Sequence, residues 1–281
     1  MTASPAASPK ASPATRPTGL VPGDPVGPPA GPGWLTGRPV ALARVAGLLY
    51  LLLAVLGSWA ELVVRGSIRV PGDAAATAAN IAEHATLFRL GLGADIAMAT
   101  VFVLLGLALH RLTHDTHPRQ ATAMLVFVAV GAGSILLNLT FHMGALLAAT
   151  DPAYASALGA GSADALALLM LDLHSHGYVL GGVFFGLWLL PMGWIALRSP
   201  MFPRALGMLL VVGAIAWVAD PLLAFTAPDA PALLRGLVSA PTTLAELSLM
   251  LYLLVRGISP AGRAASATPR RPRSAGSPAR R

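Results

Sequence analysis

Six long apolar runs, separated by short polar segments, dominate the chain. They cover roughly 40–64, 88–110, 121–149, 164 to just before Arg198, 204–226 and 232–258. Each is long enough to cross a hydrocarbon core about 30 Å thick. Backbone polar groups in lipid find no water, so each run has to satisfy its own hydrogen bonds as a helix. The pattern therefore predicts an all-α fold: a polytopic transmembrane bundle of six helices. Residues 39–258 form that domain. The flanking segments 1–38 and 259–281 are rich in Pro, Ala, Ser and Gly or in Arg, have no apolar run, and are expected to be disordered tails.

The polar breaks carry helix-start signals. Asp73 follows Pro71-Gly72 and precedes an alanine-rich stretch, as an N-cap does. Asp151-Pro152 combines a cap with proline at the first helical position. Both predict short helices on the outer surface. Thr243-Leu-Ala-Glu246 has capping-box spacing, so Pro241 either kinks the sixth helix or separates a short segment from it. Ser58-Trp59-Ala60 resembles a signal-peptidase site, with cleavage at Ala60-Glu61. The apolar run continues through Leu62, Val63 and Val64, and this favours an uncleaved first helix. No 20–50-residue repeat and no inverted repeat is visible.

Composition narrows the classes further. Of the 281 residues, 55% are apolar and only 11% charged, too few to cover a water-soluble surface. The net charge of +7 sits in tails and short loops with no aromatic platform beside it, which argues against a nucleic-acid partner. The bilayer is the expected partner. The absence of cysteine excludes disulfides and thiolate chemistry. With both termini inside, fifteen of the 19 Lys and Arg residues fall on the cytoplasmic side. This bias predicts a multi-pass inner-membrane protein with cytoplasmic N- and C-termini.

Ionisable residues within spanning helices usually face a bundle interior or a polar cavity. At 1.5 Å per residue, Glu61, Asp95 and Asp220 each lie about 24–25 Å from the inner-edge arginine of their helix. Asn138, His142, His176, His174 and Asp172 lie deeper toward the outer side, and Glu246 lies near the middle, about 15 Å from Arg256. The inner third of every helix is almost wholly apolar. The asymmetry predicts a polar pocket open to the outside, taking a small ligand, an ion or a lipid headgroup. Its candidate lining is Arg89, Asp95, Asn138, His142, Asp172, His176, Asp220 and Glu246.

Spacing refines the picture. Asn138 and His142 share a helix face, as do Asp172 and His176, whereas His174 points away from that second pair. Asp95, His142 and His176 offer the oxygen and imidazole ligands that hold zinc or another divalent metal. In a metal-dependent membrane hydrolase, Asp172 or Glu246 would serve as general base. A purely structural or accessory subunit, whose polar groups lock helices together, is the third reading. Locally, Glu61 and Arg65 have the spacing of an i,i+4 pair, and Arg89 or a histidine is the expected partner of Asp95 if it serves structure. Gly177, Gly181, Gly182 and Gly186 give small-xxx-small spacings that predict close packing of the fourth run.

Several ordered stretches carry a family resemblance: RVAGLLY at 44–50, PGDAAATAANI at 71–81, FRLGLGAD at 88–95, LDLHSHGY at 171–178, FFGL at 184–187, PRALG at 203–207 and ELS at 246–248. Over about residues 41–258 the chain resembles domain of unknown function 4386, a family of bacterial membrane proteins. The resemblance implies a multi-helix membrane protein and no assigned activity, and it places Arg89, Asp95, Asp172, His174 and Glu246 in family motifs. Asn138-Leu-Thr-Phe-His142 also has the Ser-x-x-x-His spacing of intramembrane metal hydrolases acting on lipid amides, with Asn for Ser. No His-x-x-x-His follows, because His174 and His176 are two apart.

Overall fold

The computed structural model describes residues 39–259. The tails expected at 1–38 and 259–281 lie, apart from Ser259, outside the described residues. Six helices are long and apolar enough to cross a membrane. In chain order the elements are α1 (Pro39–Ile68), α2 (Ala74–Glu83), α3 (Ala85–Thr113), α4 (Pro118–Thr150), α5 (Pro152–Leu158), α6 (Ala160–Arg198), α7 (Arg204–Thr226) and α8 (Ala232–Val255). The chain is an integral membrane protein, an all-α bundle without strands among the described residues.

The six long helices pack as a ring in chain order: α1 on α3, α3 on α4, α4 on α6, α6 on α7, α7 on α8, and α8 back on α1. Short connections make successive spans antiparallel. One end of the ring carries Pro39, the 114–117 and 199–203 turns and the C-terminal end of α8; we call it the terminal face. The opposite end carries α2 and α5 and is called the loop face.

Local chemistry sets the two short helices as expected. The Asp73 side chain accepts from the Ala76 amide at 2.9 Å, and Gly72 precedes it with φ +79°. The Asp151 side chain accepts from the Ala153 amide at 2.9 Å, with Pro152 at the first position of α5. α2 lies across α6 and α4, so it covers part of the loop face.

Three local features depart from the sequence reading. First, α1 contains a π-helical turn over Trp59–Arg65. Each residue advances an α-helix by about 100°, so the extra residue of a π turn rotates the following side chains to a new face. Ala60, at the resemblance to a cleavage site, is buried inside this continuous helix. Second, α8 is one helix with Pro241 inside it, so Pro241 separates no short segment, and Glu246 caps nothing: its carboxylate receives the Trp217 indole N–H at 3.2 Å instead. Third, the fourth run starts earlier than expected, at Ala160, and Trp188 joins two helical stretches within it.

The glycines of α6 pack as their spacing predicts. A Cβ on Gly186 would lie 2.3 Å from the Trp217 Cβ and 3.0 Å from the Ala214 carbonyl, so α6 and α7 touch backbone to backbone there. Toward the terminal face the interior is apolar. Leu105, Leu109, Met124, Met192, Leu249 and Leu253 are fully buried in one continuous cluster.

Candidate functional site

Near the loop face the interior turns polar. The π turn swings Arg65 into the bundle, where its side chain is 6% exposed. It meets Asp95 of α3, itself 1% exposed, with Nη1 donating to Oδ2 at 2.5 Å and Nη2 approaching Oδ1 at 3.4 Å. Arg65 Nε also donates to Glu61 Oε2 at 2.7 Å, the i,i+4 contact expected from sequence. The partner of Asp95 is thus Arg65. Of the expected partners, Arg89 lies exposed on α3 and takes no part, whereas two histidines do lie beside Asp95. One guanidinium holds two carboxylates, one buried and one half-exposed. Removing a single member of such a buried pair leaves an uncompensated charge.

Two histidines face Asp95. His142 of α4 is fully buried and stacks on Phe88, with ring centroids 3.9 Å apart. Its Nε2–H donates to the Phe88 carbonyl at 3.0 Å. A carbonyl only accepts, so this bond puts the proton on Nε2 and a lone pair on Nδ1. That Nδ1 is buried without a hydrogen-bond partner. His174 of α6 is 2% exposed, and its Nδ1–H donates to the Asn138 carbonyl at 3.2 Å. With the proton on Nδ1, Nε2 carries the lone pair; the Asn138 Nδ2 lies 3.3 Å from that same Nδ1, a contact that serves the other tautomer, and Nε2 is buried and unpartnered.

Asn138 fixes His174 in return, donating from Nδ2 to the His174 carbonyl at 2.8 Å. Gly177 makes this approach possible. A Cβ there would stand 2.0 Å from the Asn138 Oδ1, far inside any tolerable contact.

Asp95, His142 and His174 each offer one ligand atom within 4.8 Å of the others. The sequence reading placed His176 with Asp95 and His142, and here His174 takes that position. Residues two apart on a helix point about 200° from each other, so α6 can turn only one of the pair inward. His176 is exposed, donates Nδ1–H to the Asp172 carbonyl one turn back at 2.7 Å, and rests near Phe225. A signal for His174 was present: Leu171, His174, Gly177 and Tyr178 recur at three- and four-residue spacing, the face α6 presents to its neighbours. The signal for Arg65 was weaker, because nothing in the sequence marks the π turn.

The other expected lining residues disperse. Asp172 pairs with Arg69, at 3.0 Å to Nε and 2.5 Å to Nη2, each side chain 35% exposed. Asp220 is half-buried on α7 and makes no hydrogen bond or ion pair among the described residues. Glu246 lies in a separate central cavity. A cavity of about 300 Å³ on the loop face, lined by Glu61, Arg65, Arg69 and His174, adjoins the buried cluster.

The arrangement holds two imidazoles against backbone carbonyls, within 4.8 Å of one carboxylate by their ligand atoms. Backbone carbonyls that accept the second N–H of a metal-ligating histidine fix its tautomer and ring orientation, and both histidines here have such a carbonyl.

No curated protein and no solved structure matches the chain. A family model described as "Domain of unknown function (DUF4386)" matches residues 45–257, three quarters of the sequence, and the chain therefore belongs to that family.

Proposed function

We propose that this membrane protein binds a divalent transition metal, zinc by the chemistry of its donors, at Asp95, His142 and His174, in a site reached from the loop face. One observation carries the reading: Asp95, His142 and His174 each bring a ligand atom within 4.8 Å of the others, and each histidine also has a buried ring nitrogen without a hydrogen-bond partner. An unpaired buried acceptor costs about 1–3 kcal/mol, and a metal ion removes that cost twice over. Two nitrogens and one oxygen suit zinc and leave a fourth position open. Tetrahedral ligands on zinc lie about 3.4 Å apart. The three atoms already lie within 4.8 Å of one another, so a shared ion would draw them together by at most about 1.4 Å.

Charge suggests what fills the open position. Arg65 balances one of its two carboxylate partners, so Glu61, Arg65 and Asp95 together carry one net negative charge. A dication makes the site net positive, which favours an anionic fourth ligand. Arg65 and Arg69 line the adjoining cavity, where such an anion would approach. The arginine bias of the chain supports placing the loop face outside and both termini in the cytoplasm, so the site would sample the periplasmic side of an inner membrane.

A hydrolase is less well supported. Of the two carboxylates considered as general base, Asp172 is held by Arg69 and Glu246 lies in another cavity.

The test is metal content after purification through metal-free buffers. About one zinc per chain is expected. H142A and H174A should each lose it, whereas H176A keeps it and serves as a folding control. Metal that is far below stoichiometry, or unaffected by H142A and H174A, overturns the proposal.

A further inference from the structure

One helical turn toward the terminal face, the interior changes character. Met98 lies three residues from Asp95, Ile135 three from Asn138 and Tyr178 four from His174, and all three line a second storey at the middle of the ring. Two adjoining cavities occupy this level, of about 80 and 310 Å³, sharing Tyr50, Met98, Tyr178, Trp217 and Glu246 among their walls. Six aromatic rings surround the smaller one: Tyr50, Phe102, Tyr178, Phe185, Trp188 and Trp217. Neighbouring rings meet mostly edge to face, with centroids 5.4–6.2 Å apart.

Glu246 is the ionisable carboxylate in this apolar chamber. Trp217 gives it one hydrogen bond. No Lys, Arg or His lines either cavity among the described residues, so a charge on Glu246 has no counter-ion there. The Tyr50 hydroxyl is likewise buried without a partner, on a side chain 3% exposed. The chamber thus holds a carboxyl group without a counter-ion, an orphaned hydroxyl and a shell of aromatic rings. Aromatic faces attract cations, by about 2 kcal/mol when desolvated, and quaternary ammonium groups are recognised in this way.

Access is lateral. Near the terminal face α1 and α8 touch, since a Cβ on Gly47 would lie 2.7 Å from the Leu254 nitrogen. Toward the loop face they part, and exposed Ser58, Thr243 and Leu247 border the larger cavity. A solute dissolved in the bilayer meets this opening directly.

We propose that the central chamber is a binding site for a lipophilic organic ammonium ion, with Glu246 as its counter-ion and the aromatic shell as its box. The inference stands apart from the metal reading, because the two sites share none of their proposed ligand-contacting groups.

Equilibrium dialysis of benzyltrimethylammonium against the full chain in lipid nanodiscs tests it. Saturable binding at one site per chain is expected. E246Q should weaken it at least about tenfold, and E246D, which keeps the charge, should stay within about threefold of wild type. Neopentylbenzene, which has the same shape without the charge, should not displace the cation, and H174A should leave binding intact. The proposal fails if wild-type protein shows no saturable uptake, if E246Q binds as well as wild type, or if the neutral isostere competes equally.

Discussion

The two halves of the ring use the same helices for opposite purposes. Near the terminal face, α3, α4, α6 and α8 bury leucines and methionines in one apolar cluster. About three to five turns away, α3, α4 and α6 bury Asp95, Asn138, His142 and His174, and α1 adds Arg65. Apolar packing gains little where lipid tails are as oily as leucine, so the first half holds together mainly through close van der Waals fit. The second half places charge in a medium where an unpaired ion is costly, and each of its members depends on a partner. The contrast teaches that the terminal half supports the fold, whereas the loop-face half carries polar groups that packing alone does not require.

Unpairing the buried charge should have the largest effect. D95L takes away the buried partner of Arg65, leaving it only the half-exposed Glu61, and should cost about 3 kcal/mol, read from detergent or SDS unfolding of the purified protein. The double variant R65M/D95L removes both buried charges, leaves Glu61 to solvent, and should recover most of that loss, since well-packed apolar side chains often replace a buried pair without penalty. A double variant as unstable as D95L would mean that the pair is needed for more than mutual neutralisation.

Next in size comes packing. L109A in the terminal half opens a cavity and should cost about 2–5 kcal/mol, independent of any metal in the buffer. H142A should lose the added stability that zinc confers, a shift that scales with free metal in wild type and vanishes in the variant. Metal-dependent stability is thereby confined to one half.

G177A is smaller but more pointed. The new methyl collides with Asn138, costing about 1–3 kcal/mol and displacing His174. G133A, with no neighbour within 4 Å of its would-be Cβ, should be close to neutral. Smallest of all, H176A and R89A should change stability by no more than about 0.5 kcal/mol, because both side chains are exposed and neither belongs to the buried cluster.

The sequence revealed the scaffold well because the physics of spanning lipid is one-dimensional. A run of about 20 apolar residues must become a helix, and its length and arginine flanks are visible without knowing its neighbours. The caps at Asp73 and Asp151 and the glycines of α6 were equally legible, since their causes lie within a few residues. The site was legible only in part. Asp95, Asn138 and His142 stand out as polar residues deep in apolar runs, and the structure brings them together. Choosing between His174 and His176 required the rotation of α6 about its axis, which neighbouring helices set. Arg65 depended on a π turn that carries no sequence mark. Glu246 matched a capping box so well that its location in an aromatic chamber was hidden, and the six rings around it come from four different helices. Aromatic residues in a membrane run are unremarkable until the ring of helices closes.

Zinc-edge X-ray absorption of the purified protein reads the ligands of the proposed metal site themselves. The account predicts a first shell of two imidazole nitrogens and at least one oxygen at about 2.0–2.2 Å, with one imidazole lost in H174A after zinc is added back and none lost in H176A. A shell of oxygens alone, or one that H174A leaves unchanged, would contradict it.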